Sequence, residues 1–243
     1  MLTQINVSGL IFIDIETVPQ FSSFQELSPP MQELWALKHA LLRVENETPE
    51  EGYLKRAGIY AEFSKVVCIS TGFFSKDKDT QDRVFRVKSI YGDDERALLG
   101  KFLELLQSFR PAGRYHFCGH NIREFDVPFL CRRLLVQQYD LPEMLDHSGK
   151  RPWETADVDT LQLWKFGDYK HYTSLRLLAE ILGIPTPKDD MDGKDVCRVY
   201  WQEKNLPRIA EYCQKDVVTV ARLLLRMKGD KKTLDDRQVV VVH

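Results

Sequence analysis

The chain predicts an α/β fold, a central mixed sheet of about five strands flanked by helices. Three observations carry that prediction. Short apolar, β-branched runs come first and then alternate with amphipathic segments, the order that layers helices onto a sheet. The most regular helical pattern lies near the C-terminus, where Ile209, Tyr212, Val217, Val220, Leu223, Leu224 and Met227 recur at helical spacing over residues 206–228. A length of 243 residues with 43% hydrophobic content is enough to bury one sizeable core.

The first strand reads from the run 10–13, preceded by Ser8 and Gly9 and followed directly by Asp14, Ile15, Glu16 and Thr17. Alternation along a strand sends Asp14 and Glu16 to one face. Two adjacent carboxylates at a buried strand end repel unless a cation lies between them; the alternative is a pair of unrelated solvated acids. Residues 20–62 then interrupt the pattern, with a helix expected over 30–44. That is longer than a normal connection, so it is either a substrate-covering or partner-binding insert or structural decoration.

Strands follow near 65–74 and 83–87, then a helix over 95–109 and a strand over 115–118. Pro128 is tolerated in a first helical turn, so the next helix begins near Asp126 and runs through Leu130, Leu134 and Leu135. Read alone, Asp126 complements that helix's dipole and Asn121 is a turn residue. A further strand is expected over 155–158, with Asp159 and Thr160 capping a helix and Asp157 and Asp159 no more than a supporting shell. Trp164, Phe166, Tyr169, His171 and Tyr172 crowd around Gly167. Unpaired bases stack on such rings with a gain of roughly 1–3 kcal/mol each, although Trp164 is expected in the core. In the last helix Tyr212 and Asp216, four apart, share a face, while Lys215 offers Asp216 an ordinary surface ion pair. The tail 230–243 is charged and then β-prone, and reads as disordered or as an edge strand for a neighbour.

Composition narrows the function classes. A formal net charge of −2 gives no global attraction for nucleic acid, so any grip on phosphate must be local. Arg123, Arg132, Arg133, Lys150, Arg151, Lys165, Lys170 and Arg176 are the candidates, against the simpler reading of ordinary surface charges. The cysteines, Cys68, Cys118, Cys131, Cys197 and Cys213, form no C-x-x-C pair, which argues against a zinc site or a disulfide framework and for reduced core fillers. No leader pattern and no bilayer-length apolar run is seen, so a soluble, cytoplasmic protein without a membrane partner is expected.

Together, the local contexts of Asp14 and Glu16, Asp126, and Tyr212 with Asp216 resemble the three motifs of the DEDD exonuclease superfamily. Motif III there is Tyr-x-x-x-Asp or His-x-x-x-x-Asp; here Tyr212 to Asp216 matches the tyrosine subclass, and Glu211 stands at the histidine position. The contexts Phe12 to Thr17 and Asn121 to Asp126 are similar to the proofreading domain of family-B DNA polymerases. Narrower still is the likeness to stand-alone bacterial 3′-5′ exonucleases related to it, to which residues 178–185 and 192–194 add. The resemblance covers roughly residues 10–228.

It implies a ribonuclease-H-like fold, a single exonuclease domain over 1–229 with its insert at 20–62, and two Mg²⁺ or Mn²⁺ ions. Asp14, Glu16 and Asp216 are then expected to hold one ion, and Asp14 with Asp126 the other. Tyr212 is expected to orient the attacking water, since a phenol is a poor base at neutral pH. The resemblance also nominates Thr17 and Val18 as a wedge at the terminal base, with Phe21 beside them, and Asn121 and Phe125 as substrate contacts. Single-stranded DNA 3′ ends are the expected substrate and a polymerase or repair protein the expected partner. Two alternatives stay open: an exoribonuclease with the same chemistry, and a non-catalytic module that binds nucleic acid or a polymerase.

Overall fold

The first strand, β1 (Leu10–Pro19), runs well past its apolar stretch in the computed structural model, which describes residues 2–109, 113–151, 154–168, 172–185, 191–230 and 234–242. The cause of the extension lies across the ladder. β2 (Ser64–Lys76) pairs antiparallel with β1 from Phe12↔Gly72 to Pro19↔Ser64, so Asp14 and Glu16 sit inside a paired strand rather than at its end. β2 pairs antiparallel with β3 (Arg83–Tyr91). On its other side β1 runs parallel to β4 (His116–Gly119), which runs parallel to β5 (Val158–Asp159). β6 (Val239–Val241) lies parallel to β3 and completes a six-stranded mixed sheet of order β5-β4-β1-β2-β3-β6. The sixth strand is the tail, which adds to the edge of its own sheet; over residues 234–242 this corrects the expectation of disorder or of a strand given to a neighbour.

Helices cover both faces. α3 (Glu95–Leu106) and α4 (Asp126–Val136) pack Leu98, Leu99, Phe102, Phe129 and Leu130 on Ile11, Ile13, Ile15 and Ile69. α8 (Leu206–Met227) crosses the opposite face in two halves. Its C-terminal half sets Val217, Val220, Ala221 and Leu224 on Leu10, Phe12, Phe74 and Phe85. Its N-terminal half, with Ile209, Ala210 and Cys213, joins α7 (Val196–Trp201) over Val18, Val67 and Cys68. Two short helices, α5 (Thr160–Lys165) and α6 (Leu175–Ile181), flank α8. This is the ribonuclease-H-like exonuclease arrangement the sequence predicts.

One irregularity sets the site. Glu16 pairs with Cys68 but Thr17 pairs with Val66, so β2 carries Val67 as an extra residue. Such a bulge bends one strand without disturbing alternation in its partner. Asp14, Glu16 and Val18 therefore keep one face, beneath α8.

The insert is a built unit. α1 (Pro29–Leu41) and α2 (Pro49–Arg56) enclose a small core of Leu27, Trp35, Tyr53, Ala57 and Phe63. Trp35 Nε1 donates to the Pro49 carbonyl at 2.7 Å, and the Glu47 carboxylate receives His39, Lys55 and Arg56 at 3.1, 3.1 and 2.7 Å. The insert is anchored beside β1 by a 2.7 Å hydrogen bond from Thr17 Oγ1 to the Gly58 carbonyl.

Candidate active site

Between the two apolar patches under α8, β1 turns Asp14 and Glu16 toward that helix. Their facing residues on α8, Tyr212, Cys213 and Asp216, follow the three- and four-residue spacing of one helical face. A third element arrives from the side: Asp126 is the first residue of α4, and its Oδ1 accepts the Ile15 N–H at 3.1 Å, between the two acids of β1. Glu16 and Asp126 are buried, whereas Asp14 and Asp216 retain partial exposure.

This crowding of carboxylates has an electrostatic cost. Burial pushes the Asp14 carboxyl well above its ordinary range, and Asp216 and Asp126 push it further. Glu16 is raised in the same direction by burial and then by Asp14 and Asp216. Asp126 is pushed up to about 7 by burial, against the pull of the Ile15 N–H. Tyr212 is driven far above the usual phenol range by burial, by Asp216, Glu16 and Asp14, and by its hydrogen bond to Asp216. It stays a neutral hydroxyl at physiological pH.

Hard oxygen donors that repel one another in a buried pocket fit hard divalent cations, which would neutralise them. The donor atoms of Asp14, Glu16 and Cys213 lie within 4.8 Å of one another. Cys213 was read from the sequence as a core filler, but its thiol donates to Asp14 Oδ2 at 3.2 Å and to the Asp14 carbonyl at 3.3 Å. The signal was available, because Cys213 lies three residues before Asp216 on the same helical side.

The other nominated residues divide. Thr17 is partly exposed beside the site and tied to the insert. Val18 is fully buried among Val199 and Tyr200, which leaves no face of its side chain for a terminal base and corrects that nomination. Phe21 packs against the insert's core. Asn121 adopts the left-handed region, φ +67°, and its Oδ1 is buried without a hydrogen-bond partner among the described residues. Phe125 is half-buried against Phe129, with ring centroids 5.3 Å apart.

Asp159 serves as the cap expected of it. Its Oδ1 accepts from the N–H groups of Leu161, Gln162 and Asn121 at 2.9, 3.3 and 3.0 Å, and its Oδ2 from that of Arg123 at 3.1 Å. Asp157 Oδ1 accepts the Phe117 N–H at 2.9 Å, and His147 lies 3.5 Å from Oδ2. Among the proposed phosphate grips, Arg133 is buried and its Nε and Nη2 bond Glu95 at 2.9 and 2.6 Å. Arg123 bonds the carbonyls of Thr155 and Asp157. These two cations brace the fold, a correction to their candidacy. Trp164 packs beside Leu178 and Leu223, as expected, and Phe166 and Tyr172 are exposed. Tyr169, Lys170 and His171 lie outside the described residues.

Fold and acid cluster together are those of a ribonuclease-H-like exonuclease. A family model described as "Predicted 3'-5' exonuclease related to the exonuclease domain of PolB" matches residues 59–241, and the chain belongs to that family. The match includes Asp126, Tyr212 and Asp216 and begins after Asp14 and Glu16, which the fold of β1 brings to the same place. A comparison with curated proteins finds no match. Family membership implies exonucleolytic hydrolysis and a nucleic-acid substrate. Among the described residues no helix is long and apolar enough to cross a membrane.

Proposed function

We propose that the chain is a metal-dependent 3′-5′ exonuclease of the tyrosine subclass, releasing nucleoside 5′-monophosphates from single-stranded DNA or unpaired 3′ ends. One observation carries this reading: Asp14, Glu16, Asp126 and Asp216 converge from β1, α4 and α8, and mutual repulsion and burial raise the first three. A binding-only module has no physical need for that arrangement.

Asp14, Glu16 and Asp216 would hold one Mg²⁺ or Mn²⁺, and Asp14 with Asp126 a second. When bound, such ions lower the pKa of a water nucleophile and stabilise the leaving 3′ oxygen. The protein supplies the positioning. The Ile15 N–H fixes the Asp126 carboxylate against β1, and the Cys213 thiol fixes that of Asp14. Tyr212, locked as a neutral phenol beside Asp216, orients water by hydrogen bonding and does not take its proton. Asn121, partly exposed at the turn before α4, and Phe125 are the proposed contacts for the terminal nucleotide.

The test is incubation of 3′-labelled and 5′-labelled single strands with Mg²⁺ or EDTA, followed by product sizing. Mononucleotides from the 3′ end, lost with EDTA, are expected. Cuts within a circular single strand, or full activity in EDTA, would overturn the proposal. Matched DNA and RNA oligomers in the same assay separate the two substrate classes.

A further inference from the structure

Beyond the acid cluster β1 continues through Val18 to Pro19 and meets a second group of side chains. The Trp201 indole N–H donates to the Pro19 carbonyl at 3.2 Å. Lys65 and Lys204 both hold their ammonium groups over this indole, 5.2 and 4.9 Å from its centroid, and Lys65 also lies 5.0 Å from the Tyr200 ring. One aromatic surface thus gathers two like charges. Burial lowers the Lys65 pKa from its ordinary value and Lys204 adds to that, against the pull of Asp93 and Glu95.

Lys65 Nζ makes a weak hydrogen bond to the Asp93 carbonyl at 3.4 Å, and the neighbouring carboxylates are engaged elsewhere. Asp93 accepts the Tyr200 hydroxyl at 2.7 Å, and Glu95 is closed by Arg133, Gln137 and the Val66 N–H. Glu203 is held by Arg198 and Arg208, and Glu26, which faces Lys204, takes the hydroxyls of Ser22 and Ser23. Three other basic candidates are committed, Arg133 to Glu95, Arg123 to backbone carbonyls and Lys165 to Glu124 at 3.9 Å. A net charge of −2 gives no global pull on a polyanion, so a grip on phosphate comes from local groups of cations such as this one.

We propose that Lys65, Trp201 and Lys204 form a phosphate-binding station for a single strand, engaging the backbone just upstream of the 3′ end. The proposal rests on the exonuclease reading above. From Glu16 to Pro19 is three residues of strand, about 10 Å at ~3.3 Å per residue, within reach of the nucleotides next to the terminal one. The Pro19 carbonyl fixes the indole to the strand that carries Asp14 and Glu16.

The experiment uses the full chain with Lys65→Gln and Lys204→Gln, singly and together, on a short single-stranded DNA oligomer over a salt series. Each lysine that contacts a phosphate should contribute about 0.7 to the slope of log affinity against log salt. By that slope the double variant should raise KM roughly 10- to 30-fold near 0.1 M salt, with the loss falling on KM rather than kcat. Separately, titrating metal-free protein with the oligomer should change tryptophan emission, and Trp201→Phe, which keeps a ring, should remove that change. Unaltered KM and salt slope in a double variant that still degrades 3′ ends would overturn the station and leave the exonuclease reading intact. Oligomer binding sensed by Trp201 in a wild-type protein that shows no Mg²⁺-dependent degradation would support the station and overturn the exonuclease reading.

Discussion

Two pairs of acids stand two residues apart on strands that flank β4, Asp14 and Glu16 on β1 and Asp157 and Asp159 around β5, and their surroundings differ. Asp159 accepts four backbone N–H groups and ties the turn before α4 and the start of α5 to the sheet, whereas Asp157 accepts the Phe117 N–H at Oδ1 and leaves a buried Oδ2 without a hydrogen bond among the described residues, 3.5 Å from His147. Around Asp14 the donor is a cysteine thiol, and burial first, then further carboxylate charge, presses on Asp14 and Glu16. A carboxylate saturated by amide donors builds the fold. A group of carboxylates short of donors is completed by something brought from solvent, and for hard oxygens that is a divalent cation.

Substitution should break this symmetry first and most. Asp14→Ala is expected to abolish nuclease turnover, by about 10³-fold or more, because metal-borne charge stabilisation is worth several kcal/mol. Its metal-free unfolding midpoint should match or exceed that of the wild type, since repulsion is relieved. Asp159→Ala should instead cost roughly 2–4 kcal/mol of stability by stranding buried N–H groups. Single-turnover assays and urea unfolding on both variants check the contrast, and equal effects on stability would erase it.

The next effect is pH-dependent. The native, metal-free protein binds more protons than the unfolded chain, because Asp14, Glu16 and Asp126 are raised, the last to about 7. Metal-free stability should therefore fall as pH rises from ~4 through about 7, and Mg²⁺ or Mn²⁺ should restore it at neutral pH. Thermal unfolding across that interval, with EDTA and with metal, tests the sign. A flat profile in EDTA would remove the repulsion on which the comparison stands.

Smaller effects separate groups within the cluster. Tyr212→Phe should keep metal affinity, measured by titration calorimetry with Mn²⁺, and slow turnover roughly 5- to 150-fold, the worth of one buried positioning hydrogen bond. Wild-type turnover in that variant would reduce Tyr212 to packing. Cys213→Ala removes the thiol donor from Asp14 and should weaken Mn²⁺ binding by about 1 kcal/mol, a few-fold in affinity, whereas Cys213→Ser should recover most of it.

The sequence made the sheet and the capping by Asp159 legible, because each leaves a local trace, while the acid cluster as a set was legible only through its resemblance to the exonuclease motifs. Alternation placed Asp14 beside Glu16, and helical spacing placed Tyr212 beside Asp216. What it hid depends on register between distant segments. The length of β1 is set by its pairing with β2, the bulge at Val67 appears only against Glu16 and Thr17, and the Cys213 contact needs α8 laid across β1. Val239 to Val241 found a partner in β3, some 150 positions earlier in the chain, which no local window records. Val18 and Arg133 misled for the same reason: their burial is decided by α7 and by Glu95, not by their own neighbours in sequence.

The thiol of Cys213 and the carboxylate of Asp14 meet across 199 positions of chain. Closing so long a connection comes late, after nearer contacts have formed, because its entropic cost is met only when both segments exist. During synthesis the acids of β1 emerge first and wait without Tyr212 or Asp216 until α8 has left the ribosome. A chain halted before Leu206 would carry Asp14, Glu16 and Asp126 but lack Tyr212, Cys213 and Asp216, the face that α8 lays across β1.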